Sequence, residues 1–277
     1  MKALPAVRVF AEGRQAHVVL TERPRHACEL AGTAVSQGCE LIVAVGGDGT
    51  MNEVASVLID SPATLGLIPC GSGDGLGRHL GIHGSAAHAL NVLATGQPRI
   101  IDTGMADGHP FFTAAGIGFE AEIAQRFNAL KRRGFLRYLT TSARALLTWK
   151  PNRYVIQHAT GRDEVNAFTL AVANSDQYGN NAIIAPGARA DDGLIDLCAI
   201  PSVTFFNAAP LVARLFSGTL KTQSSVYLRR SNEFTVERQT PGPLHTDGEI
   251  HQAGTTLRFT VRPASLRIMA PARKRSP

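Results

Sequence analysis

Two glycine-rich loops carry the residue types that bind phosphate. The first consists of Gly46, Gly47, Asp48, Gly49 and Thr50. It follows the aliphatic run 41–45, which predicts a buried parallel strand, and it leads into a helix-like segment that starts with Met51 and Asn52. Residues without side chains let backbone N–H groups approach an anion, and a helix N-terminus adds positive partial charge. Asp48 is placed to hold a metal ion beside the phosphate, although an ordinary strand-to-helix turn is the simpler alternative.

The second loop, residues 69–78, reads Pro-Cys-Gly-Ser-Gly-Asp-Gly-Leu-Gly-Arg and follows the aliphatic run 64–68. The alternative to a phosphate-binding role is a glycine-rich surface loop without a ligand. Since both loops follow predicted strands, we expect them at the same edge of a parallel sheet.

Carboxylates near the C-terminus could do acid–base chemistry. The tripeptide Asp247-Gly248-Glu249 offers two acids, and a phosphoryl transfer to a hydroxyl requires a group that accepts the proton. From the residues alone, a plain hairpin turn is the stronger interpretation, because Asp-Gly is common in such turns.

The elements that must position these residues fall into two groups. Up to about residue 98 the pattern alternates: strands at 17–21, 41–45 and 64–68, and helices at 25–37, 51–59 and 76–80. Such alternation predicts an α/β domain, residues 1–98, with a parallel sheet.

From residue 99 to residue 263 short strands dominate, which predicts an antiparallel β-sandwich domain. The strands are expected at 100–105, 111–115, 154–157, 168–173, 194–200, 226–228, 234–236 and 257–261, with helices at 120–149 and 205–216. The fold class is therefore α/β plus all-β.

Composition limits the class of protein. A hydrophobic content of 44% and a charged content of 18% indicate a folded globular chain. The four cysteines lack metal-ligand spacing, the N-terminus lacks a signal-like apolar core, and the apolar runs are shorter than the roughly 20 residues that span a bilayer. We expect a cytoplasmic protein whose membrane contact is peripheral. The net charge of +6 favours anionic partners, and the aromatic content of 6% argues for a nucleotide or membrane surface over nucleic acid.

The loop 46–52 resembles the nucleotide loop of the diacylglycerol kinase catalytic-domain family, which includes sphingosine, ceramide and bacterial lipid kinases. Phosphofructokinases and NAD kinases share its Gly-Gly-Asp-Gly core, but the segment 174–197 beside the Asp-Gly-Glu turn resembles the lipid kinases. The resemblance implies ATP and Mg²⁺ as cofactors, a lipid substrate met at a membrane surface, and an active site in the cleft between the two domains. It also implies that the last residues, about 264–277, return to the first domain.

The resemblance assigns roles residue by residue. Thr21 and Ser72 correspond to nucleotide-contacting hydroxyls, although Thr21 by itself is as well explained as a helix cap. Glu249 corresponds to the base that accepts the lipid hydroxyl proton, and Asp247 to a supporting acid. A structural Mg²⁺ is implied at the Asp192 side chain with the carbonyls of Arg189 and Leu194, which are hard oxygen ligands.

Three features depart from the family pattern or extend it. Residues 1–15 resemble the helix that follows the family's first strand and its Asn-Pro-x-Ser-Gly loop, and neither precedes them in this sequence. Asp74 stands where the family has asparagine. The stretch 126–153 mixes basic and apolar residues, which favours either an interfacial membrane helix or a helix with one buried face.

These observations predict an ATP-dependent lipid kinase. Two alternatives stay open: a degenerate homologue that binds lipid or nucleotide without turnover, and a kinase of the NAD kinase or phosphofructokinase type acting on a soluble substrate. The sequence does not identify the lipid, which includes diacylglycerol, sphingoid bases, ceramide and glycerophospholipids, and it leaves a homodimer open.

Overall fold

The computed structural model describes residues 3–128, 149–222 and 225–272. The chain divides into two compact units. The first comprises Met1–Thr103, Gly179–Asn181 and Pro263–Pro277, and the second comprises Gly104–Tyr178 and Ala182–Arg262. The chain passes from one unit to the other within three of its strands, at residues 103–104, 178–179 and 262–263.

The described helices are α1 (Leu4–Ala11), α2 (His26–Ser36), α3 (Asp48–Leu58), α4 (Gly75–His79), α5 (Ala86–Thr95), α6 (Phe119–Asn128) and α7 (Phe205–Ser217), with a 3₁₀ turn at Leu220–Thr222. The described strands are β1 (Leu41–Gly46), β2 (Thr64–Pro69), β3 (Gln97–Ala106), β4 (His109–Phe111), β5 (Ala114–Gly118), β6 (Asn152–His158), β7 (Gly161–Ala167), β8 (Thr169–Ala173), β9 (Gln177–Gly179), β10 (Ala182–Ile183), β11 (Ile195–Ile200), β12 (Tyr227–Ser231), β13 (Glu233–Arg238), β14 (Gly242–Thr246), β15 (Glu249–Ala253) and β16 (Thr256–Ala270).

The first unit has an α/β arrangement around a parallel sheet. β1 pairs with β2 in parallel register, from Leu41 opposite Thr64 to Gly46 opposite Pro69. The end of β16 adds a further parallel partner to β2, with Arg267 opposite Thr64. Both glycine-rich loops therefore leave the sheet at the same edge, as predicted.

Two predictions about this sheet are wrong. Residues 17–21 form no strand, and Val18, Val19 and Leu20 are exposed. An apolar run becomes a strand only where another strand is available to pair with it through hydrogen bonds. β1 is parallel as expected but is not a buried strand, since it lies at the end of the strand order and only Ala44 is buried in it. By contrast, β2 is buried over almost its whole length.

The second unit is an antiparallel β-sandwich. Within its described residues, β12, β11, β8, β5, β14 and β15 form one sheet in that order, and β13 pairs with both β6 and β16 in another. A core between the two sheets includes the fully buried side chains of Phe111, Leu170, Leu197, Phe234 and Phe259. The predicted fold class, α/β plus antiparallel β, is confirmed.

Several element boundaries differ from the predicted ones. The strand expected at 111–115 is interrupted by a loop at residues 112–113, which separates β4 from β5. The helix expected at 51–59 begins three residues earlier, because Asp48 and the glycine after it are tolerated in a first turn. Trp149, the predicted end of the helix 120–149, is not helical. Most of the basic stretch 126–153 lies outside the described residues.

Candidate active site

The two glycine-rich loops of the first unit approach each other so closely that side chains would not fit between them. A Cβ atom built on Gly71 would lie 2.9 Å from the Cα of Gly47. A Cβ built on Gly73 would lie 2.5 Å from Oδ2 of Asp48, and one on Gly46 would lie 2.7 Å from the hydroxyl of Thr50. The glycines are therefore required sterically, and they leave backbone groups accessible to a ligand.

A cavity lies among these residues and is lined by four of the nine residues predicted to bind the nucleotide. Its lining includes Gly46, Gly47, Asp48, Met51 and Gly71. All of these except Gly71 were predicted from the sequence to bind the nucleotide. Gly49 and Asn52 lie in the first turns of α3 behind the loop. The Oδ1 atom of Asn52 is buried and has no hydrogen-bond partner among the described residues.

Asp74 adds a second carboxylate to this loop cluster, which sequence reasoning treated only as a variant of asparagine. It adopts a left-handed backbone conformation at the N-terminus of α4, with φ of 50°. Burial raises the pKa of Asp74 to about 6, and the negative charge of Asp48 acts in the same direction, whereas Arg78 and a hydrogen bond from the Gly77 backbone oppose the shift. Two acids thus line the cavity, and the pKa of Asp74 is raised above the ordinary value of an aspartate.

The second loop is held in place by contacts within the first unit. Nε of Arg78 donates to the carbonyl of Gly73 at 3.1 Å, and its Nη1 donates to Oδ1 of Asn181 at 2.6 Å. The backbone N–H of Asn180 also donates to the Gly73 carbonyl, at 2.9 Å. The short segment 179–181 therefore fixes the loop that carries Ser72, whose side chain is exposed.

The start of α2 is anchored by Glu53, a residue that sequence reasoning left without a role. Its carboxylate accepts hydrogen bonds from the backbone N–H groups of Arg25 and Ala27, both at 3.0 Å. Arg25 is the N-cap of α2, so Thr21, four residues earlier, does not cap this helix. Thr21 lies in the exposed segment before α2, which forms neither helix nor strand.

In the second unit, Asp247 and Gly248 form the two-residue turn of a hairpin. Both have positive φ angles, 48° and 87°, and Thr246 pairs with Glu249 across the turn. The plain hairpin interpretation is thus correct as a description of the backbone. The side chain of Glu249, directly after the turn, is exposed.

The carboxylate of Asp247 is clamped by hydrogen bonds from the loop between β4 and β5, residues 112–113, and from Ala114 at the start of β5. Oδ2 accepts from the N–H of Phe112 at 2.7 Å, and Oδ1 accepts from the N–H groups of Thr113 at 2.9 Å and Ala114 at 3.0 Å, as well as from the Thr113 hydroxyl. Burial raises the pKa of Asp247, and these donors oppose the shift because they stabilise the ionised form. The clamp fixes the turn from which Glu249 projects.

A second polar network lies next to this turn. Nε2 of the buried His245 is 3.0 Å from the hydroxyl of Tyr178 and 3.2 Å from Oε1 of Glu120. Gly116 makes room for it, since a Cβ there would lie 2.7 Å from the same Nε2. No motif in the sequence pointed to this network, because His245 lies 67 residues from Tyr178 and 125 residues from Glu120 along the chain.

Comparisons with known proteins are consistent across the chain. Residues 2–106 match the diacylglycerol kinase catalytic domain, and residues 113–270 match the YegS C-terminal NAD kinase beta sandwich-like domain. A relative from Pseudomonas fluorescens named "Probable lipid kinase YegS-like" is 30% identical and covers 96% of this chain and 90% of its own. The chain belongs to the diacylglycerol kinase catalytic-domain family. A second relative of the same name, from Pseudomonas aeruginosa, is 30% identical over 94% of this chain and 86% of its own.

Solved structures show the same fold at low sequence identity. A diacylglycerol kinase crystal structure from Bacillus anthracis superposes with a TM-score of 0.71 at 18% identity, covering 92% of this chain and 84% of that one. An NAD kinase from Archaeoglobus fulgidus, crystallised in complex with ATP, superposes with a TM-score of 0.57 at 14% identity, covering 97% and 90%. Membership of this lipid-kinase family implies an enzyme that uses ATP. The glycine cradle, which side chains would fill, fits the phosphates of such a nucleotide.

In the segment with the implied magnesium ligands, the carboxylate of Asp192 accepts hydrogen bonds from the protein itself. Asp192 accepts from the N–H of Leu194 through Oδ1, at 3.2 Å, and from Nη1 of Arg230 through Oδ2, at 3.3 Å. The same guanidinium reaches Oδ1 of Asp196 at 3.0 Å and the carbonyl of Gly187 at 3.1 Å. Since Arg230 already supplies a positive charge here, the donor set as it stands does not fit a cation, and we derive no catalytic step from one.

Two further observations concern metals and membranes. Within the described residues, histidine, cysteine and acidic side chains form no cluster of three or more that could hold a metal ion. The same part of the chain contains no helix with the length and apolar character that crossing a bilayer requires. The structural magnesium at Arg189, Asp192 and Leu194 stays a prediction.

Proposed function

We propose that this chain transfers the γ-phosphoryl group of ATP to a hydroxyl group of a lipid. One observation carries this beyond family membership: the clamped Asp247 holds a turn that projects the exposed carboxylate of Glu249. A kinase requires one positioned acceptor for the proton of the hydroxyl, and a carboxylate on a fixed turn supplies it. The glycine cradle of the first unit supports the nucleotide part of the proposal.

In the proposed reaction Glu249 accepts the proton of the lipid hydroxyl. The hydroxyl oxygen forms a bond to the γ-phosphorus as the bond to the β,γ-bridging oxygen breaks, and ADP leaves with that electron pair. Backbone N–H groups of residues 46–49 and the start of α3 stabilise the phosphate charge. Asp48 is the side chain of the cradle that would contact a Mg²⁺ ion carried by ATP, and such an ion would neutralise phosphate charge.

The acceptor is proposed as a class rather than a single lipid. Diacylglycerol, sphingoid bases, ceramide and glycerophospholipids all carry a hydroxyl that a carboxylate base could deprotonate. Acyl chains are recognised by apolar surface, which carries no motif. If diacylglycerol is the acceptor, the product is a phosphatidic acid, which phospholipid synthesis consumes.

The test is transfer of labelled γ-phosphate from ATP to a mixed lipid extract, with and without Mg²⁺. We expect a labelled lipid from the wild-type protein and a loss of about a thousandfold in kcat for Glu249→Gln, with ATP binding retained. Glu233→Gln is the matched control, because Glu233 is an exposed glutamate of the same unit that pairs only with Arg258 in the described contacts. Its kcat should remain near the wild-type value.

Other outcomes would assign a different function. Labelling of NAD or a sugar phosphate, but of no lipid, would indicate a soluble-substrate kinase. ATP binding without any transfer would support a degenerate binding protein. Wild-type turnover in Glu249→Gln would remove Glu249 as the base.

A further inference from the structure

Helix α7, Phe205–Ser217, exposes an apolar strip on the outside of the second unit. Val212 and Phe216 are each 50% exposed, and Ala209 and Ala213 are exposed beside them. These positions follow the spacing i, i+3, i+4, i+7, so the four side chains lie along one face of the helix. We call this set the α7 strip.

The α7 strip is not the core-facing side of the helix. Leu211 and Leu215 occupy that side, and they pack against a buried cluster that includes Ala171, Cys198 and Leu220. A surface helix normally has polar residues on the face opposite its core stripe. Single exposed apolar residues are ordinary, but an aligned set on a helix that already has a buried face indicates a binding surface.

The ends of α7 are well defined, so the α7 strip is held on a stable helix. Thr204 and Asn207 form a capping box, with hydrogen bonds in both directions between side chain and backbone. Gly218, in the left-handed conformation, ends the helix and donates its N–H to the carbonyl of Arg214. The exposed face therefore has a fixed geometry before any partner binds.

The charge around the strip identifies the kind of partner. The 36 residues from Leu197 to Asn232 contain no aspartate or glutamate. Of their four basic residues, Arg229 and Arg230 pair with acids from outside the segment, which leaves Arg214 on α7 and Lys221 shortly after it as the positive charges beside the strip. Apolar side chains on a helix within an acid-free, basic segment are the features by which a protein binds the interface of an anionic bilayer. Protein partners of an apolar strip do not require this excess of positive charge.

We propose that α7 docks on anionic lipid bilayers through the α7 strip, with Arg214 and Lys221 drawn to the headgroups. Docking of this kind would bring a lipid kinase to the surface that holds its substrate, and in this sense the inference rests on the proposed function. Binding to vesicles can nevertheless be measured without any turnover. The surface differs from the basic stretch 126–153 that the sequence suggested.

The experiment is co-sedimentation of the full chain with vesicles of phosphatidylcholine that contain phosphatidylglycerol at about one lipid in three. The double variant Val212→Asp/Phe216→Asp should lose at least about tenfold in the partition coefficient, because both apolar side chains are then kept in water. Val9→Asp is the matched control, since Val9 is a helical valine of α1 with 65% exposure, and it should bind as the wild type does. Binding should also fall in vesicles of phosphatidylcholine alone and at high salt.

Measuring phosphoryl transfer from ATP to a short-chain, monomeric lipid in the absence of vesicles separates this proposal from the proposed function. We expect the double variant to retain that activity and to lose activity only on vesicle-borne lipid. If neither protein phosphorylates any lipid, the proposed function fails while the vesicle result still decides the docking proposal.

Three results would overturn the docking proposal. The first is equal vesicle binding by the wild type and the double variant, and the second is no binding of the wild type to anionic vesicles. The third is a change from dimer to monomer in the double variant, which would assign the strip to contact between two copies of the chain. A fall in melting temperature without loss of vesicle binding belongs to the first result and would assign the strip to packing within the chain.

Discussion

The glycine cradle of the first unit and the Asp247 turn of the second unit are built by opposite means. In the first unit the glycine loops remove side chains, so that backbone groups face the ligand and a Cβ on Gly71 would contact the Cα of Gly47. In the second unit the turn at Asp247 depends on a side chain, whose two oxygens accept hydrogen bonds from residues 112–114. Substitutions that add a side chain should therefore damage the cradle, whereas substitutions that shorten the side chain of Asp247 should damage the turn.

This contrast follows from what each part must do. Phosphate oxygens are bound well by many weak backbone donors at close range, which side chains would obstruct. Proton transfer requires one carboxylate at a defined position, which a hairpin turn cannot guarantee without a second anchor. A clamp on the residue before Gly248 supplies that anchor and leaves Glu249 free to project.

The largest effect should come from removing the clamp. Asp247→Ala leaves the N–H groups of Phe112, Thr113 and Ala114 without their acceptor, and we expect a loss of about 3 kcal/mol in the free energy of unfolding, together with loss of turnover. Urea denaturation and the lipid transfer assay measure the two effects.

The chain contains a matched control for this variant. Asp107 and Gly108 form another Asp-Gly turn, with φ angles of 51° and 86°, but Asp107 is exposed. Asp107→Ala replaces an aspartate of the same backbone conformation and removes only one long hydrogen bond, from the Arg258 N–H to Oδ1 at 3.5 Å, so it should cost about 1 kcal/mol or less. Equal losses for the two variants would show that the turn conformation, rather than the clamp, determines the effect.

An added methyl group should damage the cradle. For Gly71→Ala we expect kcat/KM for ATP to fall by about a hundredfold, because the second loop must move away from Gly47 and displaces the phosphate-binding groups. Gly32→Ala is the control: the Cβ there meets open space inside α2, and the protein should become slightly more stable through helix propensity. Wild-type kinetics for Gly71→Ala would indicate that the phosphates do not lie between the loops.

The sequence predicted the cradle better than the turn. Alternating strands and helices place both glycine loops at one sheet edge, so the positions of Gly46, Gly47, Asp48 and Gly71 follow from local patterns. The failure at residues 17–21 has the opposite cause, since a strand depends on a partner elsewhere in the chain. The exposure of β1 could not be predicted either, because its position at the end of the strand order depends on strands elsewhere in the chain.

Long-range contacts explain what sequence reasoning missed in the second unit. The clamp joins Asp247 to residues more than 130 positions away, and Asp-Gly is locally indistinguishable from the turn at Asp107. The same holds for Glu120 and His245, whose contact no spacing suggests. Contacts between residues that are far apart in the sequence leave no pattern in the residues around either partner.

The carboxylate of Asp74 should make the stability of the first unit depend on pH. Its folded pKa of about 6 lies above the ordinary value of 3.8, so the folded chain binds a proton more strongly than the unfolded chain between these values. Stability should therefore fall as the pH rises from about 4 to about 6 and stay lower above that. After allowance for partial exposure, Asp74→Asn should raise stability by about 1 kcal/mol at neutral pH.

Melting temperatures at two pH values measure this effect, without divalent cations. The gain in Asp74→Asn should be about 2 °C at neutral pH and should vanish below pH 4, where the wild-type carboxyl is protonated. A gain that is equal at both pH values would show that the variant acts through packing and not through the charge beside Asp48.

The smallest effect concerns the segment around Asp192. Arg230 donates hydrogen bonds to both Asp192 and Asp196, so their charges are balanced by a side chain of the protein itself. We expect removal of divalent cations with a chelator, in the absence of nucleotide, to change the melting temperature by less than about 1 °C. Arg230→Gln should make the protein respond to Mg²⁺, because it leaves two uncompensated carboxylates. A clear Mg²⁺-dependent rise in the wild type would instead show that a cation displaces Arg230, and it would support the magnesium site implied at Arg189, Asp192 and Leu194.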